Sequence, residues 1–117
     1  MKQQWINHKG KKIFRIDYSG LSEQEMIKQL EEGTQLMLKQ QEPILYLGIF
    51  TNTVLTTAFM NRANQLGKET EKIVARSALI GISGMKSVLV NTYNMLTGNK
   101  MRAFKDEEEA KEFLIKN

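Results

Sequence analysis

The chain has 117 residues, of which 41% are hydrophobic and 26% charged, with a formal charge of +4 and no cysteine. That length supports a core without staples, the composition is that of an ordinary globular chain rather than a disordered one, and the missing cysteine excludes disulfides, thiolate metal sites and a cysteine nucleophile. The basic excess is dispersed apart from Lys9, Lys11, Lys12 and Arg15, and no aromatics interleave with that cluster as stacking platforms, so nucleic acid is not an expected partner.

Met1 to Lys12 is polar and lacks the apolar core of a signal peptide. No stretch reaches the roughly 18 apolar residues of a membrane span. The expectation is a soluble, cytoplasmic protein that is not transmembrane, built as one domain over residues 1–117.

Gln3 to Asn7 and Lys11 to Tyr18 read as short strands around the turn His8-Lys9-Gly10; in the second, Ile13, Phe14, Ile16 and Tyr18 alternate in part. Ser22 followed by Glu25 is a capping box, and Leu21 and Met26 are spaced as a hydrophobic staple. The helix they open carries Met26, Leu30, Gly33 and Met37 on one stripe. It is expected to end near Gln41, because Pro43 disfavours helix at the residue before it. Ile44 to Phe50 is apolar on both faces, as in a central parallel strand.

Thr51-Asn52-Thr53 follows as a polar loop. A second helix is expected from about Leu55 to Val74, with Leu55, Phe59, Ala63, Leu66, Thr70 and Ile73 on its buried face. Ala78 to Ile82 reads as another buried strand that passes through Ser83-Gly84 into a third helix. There Met85, Val88, Leu89, Thr92, Tyr93 and Leu96 recur at helical spacing as the expected core stripe, and Gly98 sits at the C-cap. Met101 to Phe104 is a short last strand. Asp106, with Glu109 three residues on, caps a final helix docked by Ala110, Phe113 and Leu114.

The order β-β-α-β-α-β-α-β-α predicts an α/β fold: a mixed, mostly parallel five-stranded sheet with about four helices. The tight first turn makes the first strand antiparallel to its neighbour.

The sequence holds no recognisable catalytic set. His8, the single histidine, reads as a solvated turn residue; the carboxylates fall on exposed helix faces; Asp17 reads as a turn or cap residue. No metal, no cofactor and no enzymatic activity are expected. Gly81 to Ser87 resembles a phosphate-binding loop only in part, since Met85 separates Gly84 from Lys86. If the sheet is parallel, the loops after the two central strands leave on one edge, where open α/β sheets bind ligands. Thr51, Asn52, Thr53, Ser83, Gly84 and Lys86 are therefore the candidate partner- or anion-binding residues. Free N–H groups of two helix N-termini would converge there, with Lys86 adding a full charge. The methionines favour core packing, or else a soft pocket for an apolar ligand.

Three stretches carry a family resemblance: Gly10-Lys11-Lys12-Ile13-Phe14-Arg15-Ile16-Asp17-Tyr18-Ser19-Gly20-Leu21, Ala78-Leu79-Ile80-Gly81-Ile82-Ser83-Gly84, and Phe104-Lys105-Asp106-Glu107-Glu108-Glu109-Ala110-Lys111-Glu112-Phe113-Leu114. They resemble small bacterial proteins of the STAS-like superfamily, which includes the anti-sigma-factor antagonists and is similar in fold to CRAL-TRIO lipid-transfer domains. The resemblance implies a mixed sheet with helices around it. It also implies a non-enzymatic module that binds a regulatory protein partner and is switched by phosphorylation of a serine or threonine. Its lipid-transfer side implies a small apolar or amphipathic, lipid-like ligand instead. Closed dimers are the commonest homo-oligomers, which leaves a homodimer open.

Overall fold

In the computed structural model, which describes residues 3–116, a hairpin comes first: β1 (Gln3–His8) and β2 (Lys11–Asp17) pair antiparallel. His8 belongs to the strand and not to the turn. The turn is the pair Lys9-Gly10, both at positive φ, 50° and 86°, the two-residue connection whose twist matches that of the strands. There follow α1 (Glu23–Leu38), β3 (Ile44–Ile49), α2 (Thr57–Thr70), β4 (Val74–Ile80), α3 (Met85–Thr97), β5 (Arg102–Phe104) and α4 (Glu107–Ile115). The strands lie side by side in chain order, and every pairing after the first is parallel. This is the expected α/β architecture.

Side-chain alternation divides the strands between two layers. Phe14, Ile16, Tyr18, Tyr46 and Leu79 point to one face, where α1, α2 and α3 cover them with Met26, Met37, Phe59, Ala63 and Tyr93. Ile13, Leu47, Ile49, Ala78 and Ile80 point to the other, where among the described residues α4 is the helix that covers them, with Ala110 and Leu114. Because both faces are covered, β3 and the end of β4, Ala78 to Ile80, read as continuous apolar runs. Ion pairs add to the docking of α4. Arg15 donates to both carboxylate oxygens of Glu107, Nε to Oε2 at 3.0 Å, and His8 Nε2 lies 2.8 Å from Glu112 Oε2. Lys11 Nζ donates to the Ile115 carbonyl at 3.1 Å.

The caps follow the sequence where a side chain can close them. Ser22 and Glu25 form both halves of the capping box, and Asp106 accepts from the Glu109 amide at 2.9 Å. Helix ends diverge more. α1 stops at Leu38 with Lys39 as C-cap, short of Gln41. α2 is shorter at both ends than expected: Thr56 is its N-cap, and Ile73 and Val74 lie beyond it, Val74 pairing with Ile44 as the first residue of β4. These β-branched residues keep helical spacing with Thr70 yet suit a strand.

The largest correction is in α3. Its buried residues are Tyr93 and Thr97, with Val90 packed beside them. Met85, Val88 and Leu96 of the expected core stripe are instead exposed, as is Met95. Apolar residues cover more than half of the circumference of this helix, all but the side of Ser87, Asn91 and Asn94, so periodicity alone cannot choose the face that meets the sheet. Among the described residues no helix is long and apolar enough to cross a membrane.

A recess at the carboxyl edge of the sheet

β3 and β4 are parallel neighbours, so their carboxyl ends emerge together. The loops that follow are in direct contact. Gly81 has φ +82°, and a Cβ placed there would lie 2.5 Å from the Thr51 nitrogen and 2.7 Å from the Phe50 carbonyl carbon. Only glycine fits both the dihedral and the approach. The Phe50 amide donates to the Ile80 carbonyl at 2.8 Å, and the Gly20 amide to the Asn52 carbonyl at 3.1 Å, which ties the loop after β2 to the same edge.

Thr51, Asn52, Ser83 and Lys86 line one open recess of about 510 Å³, with Gly81, Ile82 and, from the end of β5, Ala103, Phe104 and Lys105. Thr53 and Gly84 do not line it. Thr53 turns inward and its hydroxyl donates to the Phe50 carbonyl at 2.7 Å. Gly84 is the N-cap of α3, at φ 56° and ψ −129°, and no side chain caps that helix; Ser83 is not a side-chain cap. Nor do two helix N-termini meet here. α2 begins only after Thr56, whose hydroxyl accepts from the Phe59 amide at 3.2 Å, and no α2 residue borders the recess.

Lys86 also differs from expectation. Its Nζ donates to the Phe50 carbonyl at 2.9 Å and to the Gly81 carbonyl at 3.2 Å. The ammonium therefore binds the two loops together, and much of its hydrogen-bonding capacity is used inside the protein. The exposed Lys105 is the other cation of the recess, and no acidic side chain lines it. The wall formed by β5 escaped the sequence analysis. The signal that reveals it is topological: a further parallel strand beside β4 must also end on this edge.

Beside the recess runs the outer face of α3. Met85 is 71% exposed, Val88 56%, Met95 85% and Leu96 55%. These side chains form a band along a helix whose only charge is Lys86.

Elsewhere, His8 is half-buried against α4 and bonded to Glu112, not a solvated turn residue. Asp17 Oδ1 accepts from the Ser19 amide at 2.8 Å, a local turn that matches its expected role. Among the described residues no group of three or more histidine, aspartate or glutamate side chains is placed to hold a metal.

No family model matches the chain, and no curated protein matches it in sequence. Among solved structures it is similar to an uncharacterized protein of the DUF3478 family with a SpoIIAA-like fold from Shewanella loihica PV-4. The two are 19% identical, the match covers 96% of this chain and 91% of that one, and the TM-score is 0.66. Likeness at that identity is a likeness of fold: the chain folds as a SpoIIAA-like, STAS-like α/β unit.

Proposed function

We propose that the chain is a non-catalytic interaction module that receives a protein partner across the outer face of α3 and the adjoining recess. The observation that carries this is the exposed apolar band of Met85, Val88, Met95 and Leu96. Isolated surface apolar residues are ordinary, but a contiguous run of large ones on one helix marks an interaction surface. The recess supplies the polar half of the contact. Thr51, Asn52 and Ser83 offer adaptable donors and acceptors, and Lys105 offers an unopposed positive charge. The matching partner segment has apolar side chains for α3 and a carboxylate for Lys105. An apolar centre with a polar rim is the usual anatomy of such a contact.

A photo-crosslinking amino acid at Val88 tests this in host cells, with the same group at Glu108 on α4 as the control. The expected result is one discrete adduct from position 88 that identifies a partner, is absent from position 108, and is lost in the Met95→Glu background. An adduct indifferent to Met95→Glu, or turnover of a small substrate by the purified chain, overturns the proposal.

A further inference from the structure

β5 pairs with β4 only from Ala78 onward, where Ala78 stands opposite Arg102. The first half of β4 is therefore paired with β3 alone. Beside it lies a cleft of about 220 Å³, at the amino end of the strand, opposite the recess at its carboxyl end. Ser77 and Asn99 form the floor, since both also border a smaller cavity of about 40 Å³ beneath. These side chains are more than nine-tenths buried, Ser77 4% and Asn99 8% exposed. The Gly67 carbonyl orients the Asn99 amide, whose NH2 group alone can donate to it, at 3.1 Å. Asn99 Oδ1 accepts nothing from the described residues, and the Ser77 hydroxyl has no partner among them. Neither oxygen is sealed from solvent. Open acceptors on a buried floor suit a ligand that donates to them.

The lining carries charges of both signs. Glu71 is the C-cap of α2 and Gly98 the C-cap of α3. The two ends touch: a Cβ at Gly98 would lie 3.3 Å from Glu71 Oε1. Helix C-termini carry partial negative charge, and the Glu71 carboxylate adds a full one. No basic side chain in the last turn of α3 offsets it. Arg76 and Lys100 line the same cleft. Arg76 is already engaged, its Nη1 donating to the Phe113 carbonyl at 2.7 Å. Lys100 is exposed and, like Glu71, makes no ion pair among the described residues. Opposite charges that share a cleft without pairing complement a ligand that carries both.

We propose that this cleft binds a small α-amino acid as its zwitterion. The three N–H donors of the ammonium meet three acceptors: the Glu71 carboxylate, Asn99 Oδ1 and the Ser77 hydroxyl. The carboxylate is met by Lys100. Val74 and Ala75 are the apolar side chains of the lining, so the amino acid's own side chain is short. This site does not rest on the α3 surface.

The test is an NMR titration of the full ¹⁵N-labelled chain, at constant pH and ionic strength, with L-serine. Two derivatives are titrated separately: N-acetyl-L-serine, which lacks the ammonium, and L-serinamide, which lacks the carboxylate. L-Serine is expected to shift the amides of Ser77, Asn99 and Lys100 saturably. Each derivative should bind about tenfold or more weakly, the size of a lost hydrogen bond to a charged group. Glu71→Gln and Lys100→Gln, both at exposed positions, should each cost L-serine a similar factor and leave the rest of the spectrum unchanged. Three results overturn the proposal: no saturable shift with L-serine; a derivative that binds as tightly as L-serine; or unchanged L-serine affinity in either variant.

Discussion

Three residues at and behind the recess show how much a single position can carry. Gly81 combines φ +82° with a 2.5 Å approach to the Thr51 nitrogen, so Gly81→Ala must both strain its own backbone and push the neighbouring loop away. The expected cost is about 2 kcal/mol or more, read from urea denaturation. Lys86 holds the Phe50 and Gly81 carbonyls. Lys86→Met should therefore lower stability by about 1.5–3 kcal/mol, the range for hydrogen bonds to a charged group, whereas a purely ligand-directed lysine could be replaced at little cost. Tyr18→Phe removes a fully buried hydroxyl whose polar neighbour is the Tyr46 phenol and should change stability by no more than about 1 kcal/mol; a larger loss would mean that the two phenols are hydrogen-bonded. The capping box of Ser22 and Glu25 was legible in the sequence because its partners are three residues apart. The role of Lys86 was not, since one of its acceptors lies 36 positions away.

At the scale of elements, α4 is held by charge as well as by Ala110 and Leu114. Arg15 draws the Glu107 carboxyl below its ordinary value of 4.5, chiefly by hydrogen bonding; Lys9, and then His8, do the same for Glu112. Carboxylates with depressed folded-state values stabilise above their ordinary value, and that stability is lost as pH falls through the depressed ones. α4 should therefore loosen below about pH 4.5, before β3 and β4 do. Hydrogen exchange at pH 7 and at about pH 3.5 checks this: amides of α4 should lose protection disproportionately, and Glu107→Gln should remove most of the difference. For α3 the helix itself was legible, from its apolar spacing and from Gly98 as its C-cap. Its buried face was not, because Met85, Val88, Met95 and Leu96 are as apolar as Val90 and Tyr93. Met95→Lys should accordingly shift the melting temperature by no more than about 2 °C.

For the molecule as a whole, element order and the right-handed crossover rule sufficed to anticipate the sheet. They also bring Thr51, Asn52, Ser83 and Lys86 together, since loops after adjacent parallel strands must meet at one edge. What they do not contain is the inward turn of Thr53 or the late start of α2. Both depend on which hydroxyl finds which backbone group, and neighbouring threonines compete for that role.

The single helix on the second face has a consequence for biosynthesis. Residues of the hairpin are joined to residues of α4 that lie 92 to 104 positions later. Until α4 has left the ribosome, Ile13, Leu47, Ile49, Ala78 and Ile80 have nothing to cover them. Native closure must then wait for α4, and until it emerges the nascent chain is exposed to aggregation or to chaperones. A chain ended at Lys105 should partition into the pellet on expression, and α4 supplied as a separate peptide during refolding should recover soluble protein.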